Sequence, residues 1–131
     1  MNTQELLDIM QRHNIQGEAD KEGDIHFTHE DISMTLLHDD DDPDYISLGA
    51  GFEDIDEELH DACYALAAAI SQAYKVGKVI VFDDEEGFAL RFSVEALVSP
   101  ETFERDLPRY LDIVTEMIAD FFDAASGEQE D

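Results

Sequence analysis

Residues 78–98, KVIVFDDEEGFALRFSVEALV, decide the fold. Lys78–Phe82 reads as a strand, its last four residues β-branched or aromatic, and Asp83–Gly87 is an acidic turn ending in glycine. In Phe88–Val98, Phe88, Leu90, Phe92 and Val94 alternate with Ala89, Arg91, Ser93 and Glu95. A period of two on either side of a turn predicts an antiparallel hairpin with one buried face.

Outward from that hairpin the pattern changes period. Ser99 and Pro100 open a helix whose apolar stripe is Phe103, Leu107, Tyr110 or Leu111, Val114, Met117 or Ile118, and Phe121. Pro108 is expected to kink this helix or restart it after Asp106. Upstream, Asp54 and Glu57 read as a capping box for a helix running to about Lys75, ended by Gly77. Leu59, Ala62, Cys63, Leu66, Ala69, Ile70 and Ala73 take its core positions. Ala65, Ala67 and Ala68 carry apolar surface around it, so burial on two sides is expected.

The first half reads as one helix and three strands. Thr3–Asn14 has helical spacing, with Asn2 or Thr3 as cap and Asn14 and Gly17 at its end. Ile25–His38 alternates as extended chain, with Glu30 and Asp31 as a bulge or short turn. The run Asp39, Asp40, Asp41, Asp42, Pro43, Asp44 reads as a hairpin connection, because proline and aspartate favour turns and like charges resist a packed ladder. Tyr45–Glu53 is the next strand, with Ile46, Leu48, Ala50 and Phe52 on one face and Ser47, Gly49 and Gly51 on the other. The order is α-β-β-β-α-β-β-α: an α+β fold with a five-stranded antiparallel sheet and helices packed on it. Residues 1–125 form one domain, and 126–131 form an acidic disordered tail.

Charge bounds the function. Seven Lys and Arg face 34 Asp and Glu, a formal net charge of -27. Such a surface repels phosphate backbones and anionic membranes and attracts basic partners, so no nucleic acid and no membrane is expected. Cys63 is the only cysteine, which excludes an intrachain disulfide and a cysteine zinc cage. No charged and then apolar segment opens the chain and no apolar run is long enough to span a bilayer, so a cytoplasmic protein is expected.

Each candidate chemical site has a plainer reading. Taking Asp40, Asp42 and Asp44 as EF-hand ligands puts Tyr45 where the turn glycine belongs and Gly51 where the bidentate glutamate belongs, so a solvated turn is the better account. Asp83-Asp84-Glu85-Glu86 reads the same way. Glu57 and His60 form one Glu-x-x-His where a di-iron bundle needs two. His26 and His29 lie three apart in a strand and point to opposite faces. Cys63 falls on an apolar helix face as a core residue. Ser93 and Ser99 lack a nucleophile elbow, and Gly49-Ala50-Gly51 is followed by no Gly-Lys-Ser/Thr. Phe121-Phe122 reads as core packing at a helix end. No catalytic residue, metal site or cofactor is expected.

The Lys78–Phe82 strand, its acidic turn, Phe88-Ala89-Leu90-Arg91-Phe92 and the helix start Ser99-Pro100-Glu101-Thr102-Phe103, taken with the order of elements, resemble the type III secretion chaperones and the related YbjN-type family. The resemblance spans nearly the whole chain as topology and carries no catalytic residues. The chaperone side implies a homodimer that binds an extended client segment on an apolar surface. The YbjN side implies a regulator. The Asp39–Asp44 run departs from both. The leading expectation is therefore a non-catalytic protein-binding module, its partner or dimer surface on Ala65, Ala68, Ala69, Gln72, Phe88, Leu90 and Phe92. Two alternatives stand beside it. An acidic decoy of DNA would occupy a basic nucleic-acid-binding protein, and a divalent-metal protein or small enzyme would use Asp39–Asp44 with Glu57 and His60.

Overall fold

A computed structural model describes residues 1–130, with side chains through Ser126. The acidic tail expected at 126–131 lies, beyond Ser126, outside the described side chains. Helix α1 (Thr3–Arg12) is followed by strands β1 (Glu18–Ala19), β2 (Ile25–His29), β3 (Ile32–Asp39) and β4 (Asp42–Phe52). A short 3-10 turn (Glu57–Leu59) leads into α2 (His60–Ala73), then β5 (Gly77–Asp84), β6 (Gly87–Leu97) and α3 (Pro100–Glu130). The strands form one antiparallel sheet in the order β1-β2-β3-β4-β6-β5. The α+β class is as read from the sequence. The sheet has six strands rather than five, because two-residue β1 pairs Glu18 with His26 and Ala19 with Ile25.

The hairpin at 78–98 forms with Asp84 opposite Gly87, so its loop is Glu85 and Glu86 alone. Glu30 and Asp31 form the β2–β3 turn, both with positive φ (51° and 66°). Two consecutive left-handed residues match the twist of a tight hairpin. Strand β4 begins three residues earlier than expected. The β3–β4 ladder shifts register between His38 and Asp39, so Asp39 pairs with Asp42 while His38 pairs with Ile46. Pro43 sits in that irregularity, where its missing N–H breaks no ladder bond.

Helix α1 starts in a full capping box: Asn2 Oδ1 accepts from the Glu5 N–H at 2.8 Å, and Glu5 Oε1 accepts from the Asn2 N–H at 3.2 Å. It ends in a Schellman turn, with Asn14 at φ 63° and the Ile15 N–H bonded back to Met10 O. The expected box at Asp54 and Glu57 does not form. Ile55 N–H bonds to Glu53 O, a 3-10 turn intervenes, and α2 starts only at His60. Gly77 does not end α2 but opens β5; a Cβ there would lie 2.5 Å from Met117 Sδ, so its bareness lets the strand approach α3.

Helix α3 runs unbroken through Pro108. Proline removes the N–H that would bond to Glu104 O. His13, at the end of α1, restores the bond: its Nε2 lies 3.0 Å from Glu104 O and donates to it. Arg12 holds the Glu104 carboxylate with two further bonds, at 2.6 and 3.1 Å. The helix therefore does not restart after Asp106, and the hydrogen bond that Pro108 gives up becomes a joint between two helices.

Ile25, Met34, Leu36, Ile46, Leu48, Leu90, Phe92 and Val94 point from one sheet face into the core. Phe103, Leu107, Val114, Met117 and Phe121 of α3 and Leu6 and Met10 of α1 meet them, all at most 1% exposed. Burial of each such side chain contributes about 1.5–3 kcal/mol. Helix α2 packs on β5 and α3. There Ser71 Oγ accepts from the Val79 N–H at 2.9 Å.

Candidate functional site

Helix α2 is apolar around most of its circumference, yet only Cys63 and Ala67 are fully buried. Ala65, Ala68, Ala69 and Gln72 are exposed together along its outer side. Tyr64 on the same helix and Val76 in the bend after it are 48% and 49% exposed, large values for apolar residues. The two sides of burial expected for α2 are met by β5 and α3, and this outer side stays open.

Phe88 extends this surface only partly. It is half-buried under the start of α2, stacked on the His60 ring at 3.7 Å and 6°, with Tyr64 edge-on at 6.3 Å. Tyr64 donates to Asp83 Oδ2 at 2.8 Å, which ties α2 to the hairpin tip and raises the phenol pKa. Leu90 and Phe92, placed on the partner surface from sequence, are core residues, 1% and 0% exposed. They share Phe88's side of β6, but α3 covers that side along their length. Phe92 packs edge-on to Phe52 and Phe121 with centroids 5.6 and 5.2 Å apart. Phe121 is core, as expected, and Phe122 is half-buried against the same cluster.

The opposite sheet face carries a polar network that the sequence did not disclose. Arg91 reaches along the sheet to Ser47, its Nη2 donating to the carbonyl at 3.3 Å and to Oγ at 3.2 Å. Its path crosses the Gly49–Ser93 pair. At Gly49 a Cβ would collide with the Phe92 carbonyl oxygen, so glycine is required there. Burial pushes the Arg91 pKa down. Burial also works against the Glu95 carboxylate, but hydrogen bonds from Lys78 and Tyr45 outweigh it and hold the Glu95 pKa low. Ser47 and Ser93 are buried, and Ser93 Oγ has no hydrogen-bond partner among the described residues. Hydrophobic alternation places these residues on one face; only the register of β4, β5 and β6 brings them together.

The other residues singled out have local partners. Asp39 Oδ1 accepts from the Asp41 N–H at 2.9 Å, and Asp84 Oδ1 from the Glu86 N–H at 2.9 Å, both turn contacts. His26 Nε2 lies 2.7 Å from Asp20 Oδ2, and His60 Nε2 lies 3.1 Å from Ile55 O. Ser99 Oγ caps α3 through the Thr102 N–H at 3.2 Å. Burial pushes the Cys63 thiol pKa up, away from the reactive thiolate. Among the described residues no three His, Cys, Asp or Glu side chains are grouped to hold a metal. No helix among them is long and apolar enough to cross a membrane.

No protein-family model matches the chain, and no curated protein matches it in sequence. Solved structures do. The crystal structure of YbjN from E. coli, described as a candidate transcription regulator, superposes with a TM-score of 0.78 at 15% identity, covering 98% of this chain and 94% of that one. An uncharacterized protein from Methanothermobacter thermautotrophicus superposes with a TM-score of 0.61 at 7% identity, covering 93% and 98%. At such identities the likeness concerns architecture alone, and the architecture of this chain is the YbjN-type α+β fold.

Proposed function

We propose that the chain is a non-catalytic protein-binding module, chaperone-like or regulatory, that works in the cytoplasm as a small acidic homodimer and holds a partner segment on an apolar surface. The observation that carries this reading is the outer side of α2, where Tyr64, Ala65, Ala68 and Ala69 lie exposed in the single chain, with Val76 exposed in the bend that follows the helix. Contiguous exposed apolar surface marks interaction sites, and small residues let a second helix approach closely. The fold shared with a candidate regulator supports a regulatory role. A net charge of -27 directs that role to protein partners, because phosphate backbones are repelled.

Light scattering at micromolar concentration, in about 0.05 M and about 0.5 M NaCl to vary charge screening, tests it. A dimer that strengthens with salt, and that Ala68→Glu reduces to a folded monomer, is the expected result. A monomer at both salts that binds neither an apolar dye nor peptide rejects the reading.

A further inference from the structure

A second apolar feature lies away from the outer side of α2. The Asp54–Asp56 stretch, the first turns of α2 and the end of α3 enclose a cavity of about 200 Å³. Ile55, Leu59, Leu66, Phe121 and Phe122 wall it, with the buried Cys63 among them. It is smaller than the roughly 300–1,000 Å³ of a small-molecule site, so one large side chain is the occupant it suits.

The rim decides what flanks that side chain. Among the described residues, Asp54 and Asp56 are the charged residues lining the cavity, both exposed, and no lysine or arginine lines it. Glu57, Glu58 and Asp61 follow, also exposed. Asp56 stands where a helix cap belongs but makes no capping hydrogen bond, so its carboxylate is not spent within the chain. The adjacent cavity shares Asp54, Ile55 and Phe122 and contains Arg91, whose guanidinium is turned to Ser47.

We propose that this pocket receives one large aliphatic or aromatic side chain from a protein segment whose neighbouring residues are lysine or arginine. The inference rests on the protein-binding reading and adds a place and a chemistry. The apolar anchor sets affinity, and the acidic rim selects basic flanks and speeds encounter.

The probe is a fluorescein-labelled peptide, Gly-Lys-Lys-Leu-Lys-Lys-Gly, followed by anisotropy beside two controls, one with serine for leucine and one with glutamate for every lysine. The leucine peptide should bind about 10- to 100-fold more tightly than the serine peptide, and the glutamate peptide should not bind. Salt should weaken the leucine and serine peptides alike and leave their ratio intact. Ala62→Phe, which fills the pocket, should bring the ratio near one, while Asp54→Asn with Asp56→Asn should weaken both peptides and preserve it. Should Ala62→Phe fail to fold, amide shifts of the unaltered protein decide: movement at Cys63, Leu66 and Phe122 supports the site. Equal binding of the leucine and serine peptides, or shifts confined to other elements, overturns it. Repeating the titration on Ala68→Glu separates the two readings, since the pocket acts within one chain whether or not the chain dimerises.

Discussion

His13→Ala attacks the joint between α1 and α3 at its least replaceable bond. Pro108 has no N–H, so Glu104 O depends on the His13 Nε2 donor. Leaving a buried carbonyl unsatisfied costs about 1–3 kcal/mol. This one is partly buried, so the lower end of that range applies, about 1–1.5 kcal/mol. For a domain of this size that is a fall in Tm of about 3–6 °C. Pro108→Ala supplies the missing N–H from within α3 and removes a residue that costs a helix interior about 3 kcal/mol. In that background Glu104 O has a helical donor, and His13→Ala should cost less than about 0.5 kcal/mol. Urea unfolding of the wild type, both single variants and the double variant, followed by circular dichroism, gives the coupling directly. About 1 kcal/mol of coupling is expected. An equal cost of His13→Ala in both backgrounds would refute the compensation.

The β2–β3 turn holds Glu30 and Asp31 at positive φ, so Glu30→Asn with Asp31→Gly should stabilise the protein by about 1–2 kcal/mol in urea unfolding; a destabilised double variant would contradict that geometry. Thermal midpoints should rise steadily between about 0.01 M and about 0.5 M NaCl as the -27 charge is screened, and a flat or falling curve would show that self-repulsion is not a significant cost. In a spectrophotometric titration all four tyrosines should ionise above the free-phenol pKa. Tyr74, hydrogen-bonded to Asp120 and pushed up to about 12, should ionise last, and Tyr74→Phe should remove that step. Because folding raises these values, the stability they contribute is complete below the unfolded phenol pKa and is lost as pH rises through the folded values; a final step that survives Tyr74→Phe would show the assignment to be wrong.

What could be read from sequence was periodic, and what could not was long-range. The 78–98 hairpin and the α3 stripe announce themselves because the side chains that meet the core repeat every two or every three to four residues. Strand β1 has two residues and therefore no period. The Asp54–Glu57 pair has capping spacing, but the Ile55–Glu53 bond and the following 3-10 turn carry the chain past it before α2 begins. At Pro108 the local rule was sound, yet the donor that answers it comes from His13, 91 residues from Glu104. The same holds for the partner surface. Alternation groups Leu90 and Phe92 with Phe88, and only the path of α3 shows that two of the three are covered. The α2–α3 pocket joins residues from 54 to 125, so no local window contains it.

The Ser71–Val79 hydrogen bond bears on how the protein fails. Strand β5 is the long margin of the sheet, eight residues against two at the other margin, and it reads Val79-Ile80-Val81-Phe82 at its centre. In an antiparallel ladder alternate residues aim their N–H and C=O outward, and Val79 is one of these. An extended foreign chain seeking to add a strand must first displace Ser71 and lift α2. The hairpin tip at Asp83–Glu86 adds four carboxylates that oppose stacking of identical copies. Fibril growth from this protein should therefore begin with local melting of α2 rather than global unfolding, and should quicken in high salt, where the carboxylates are screened.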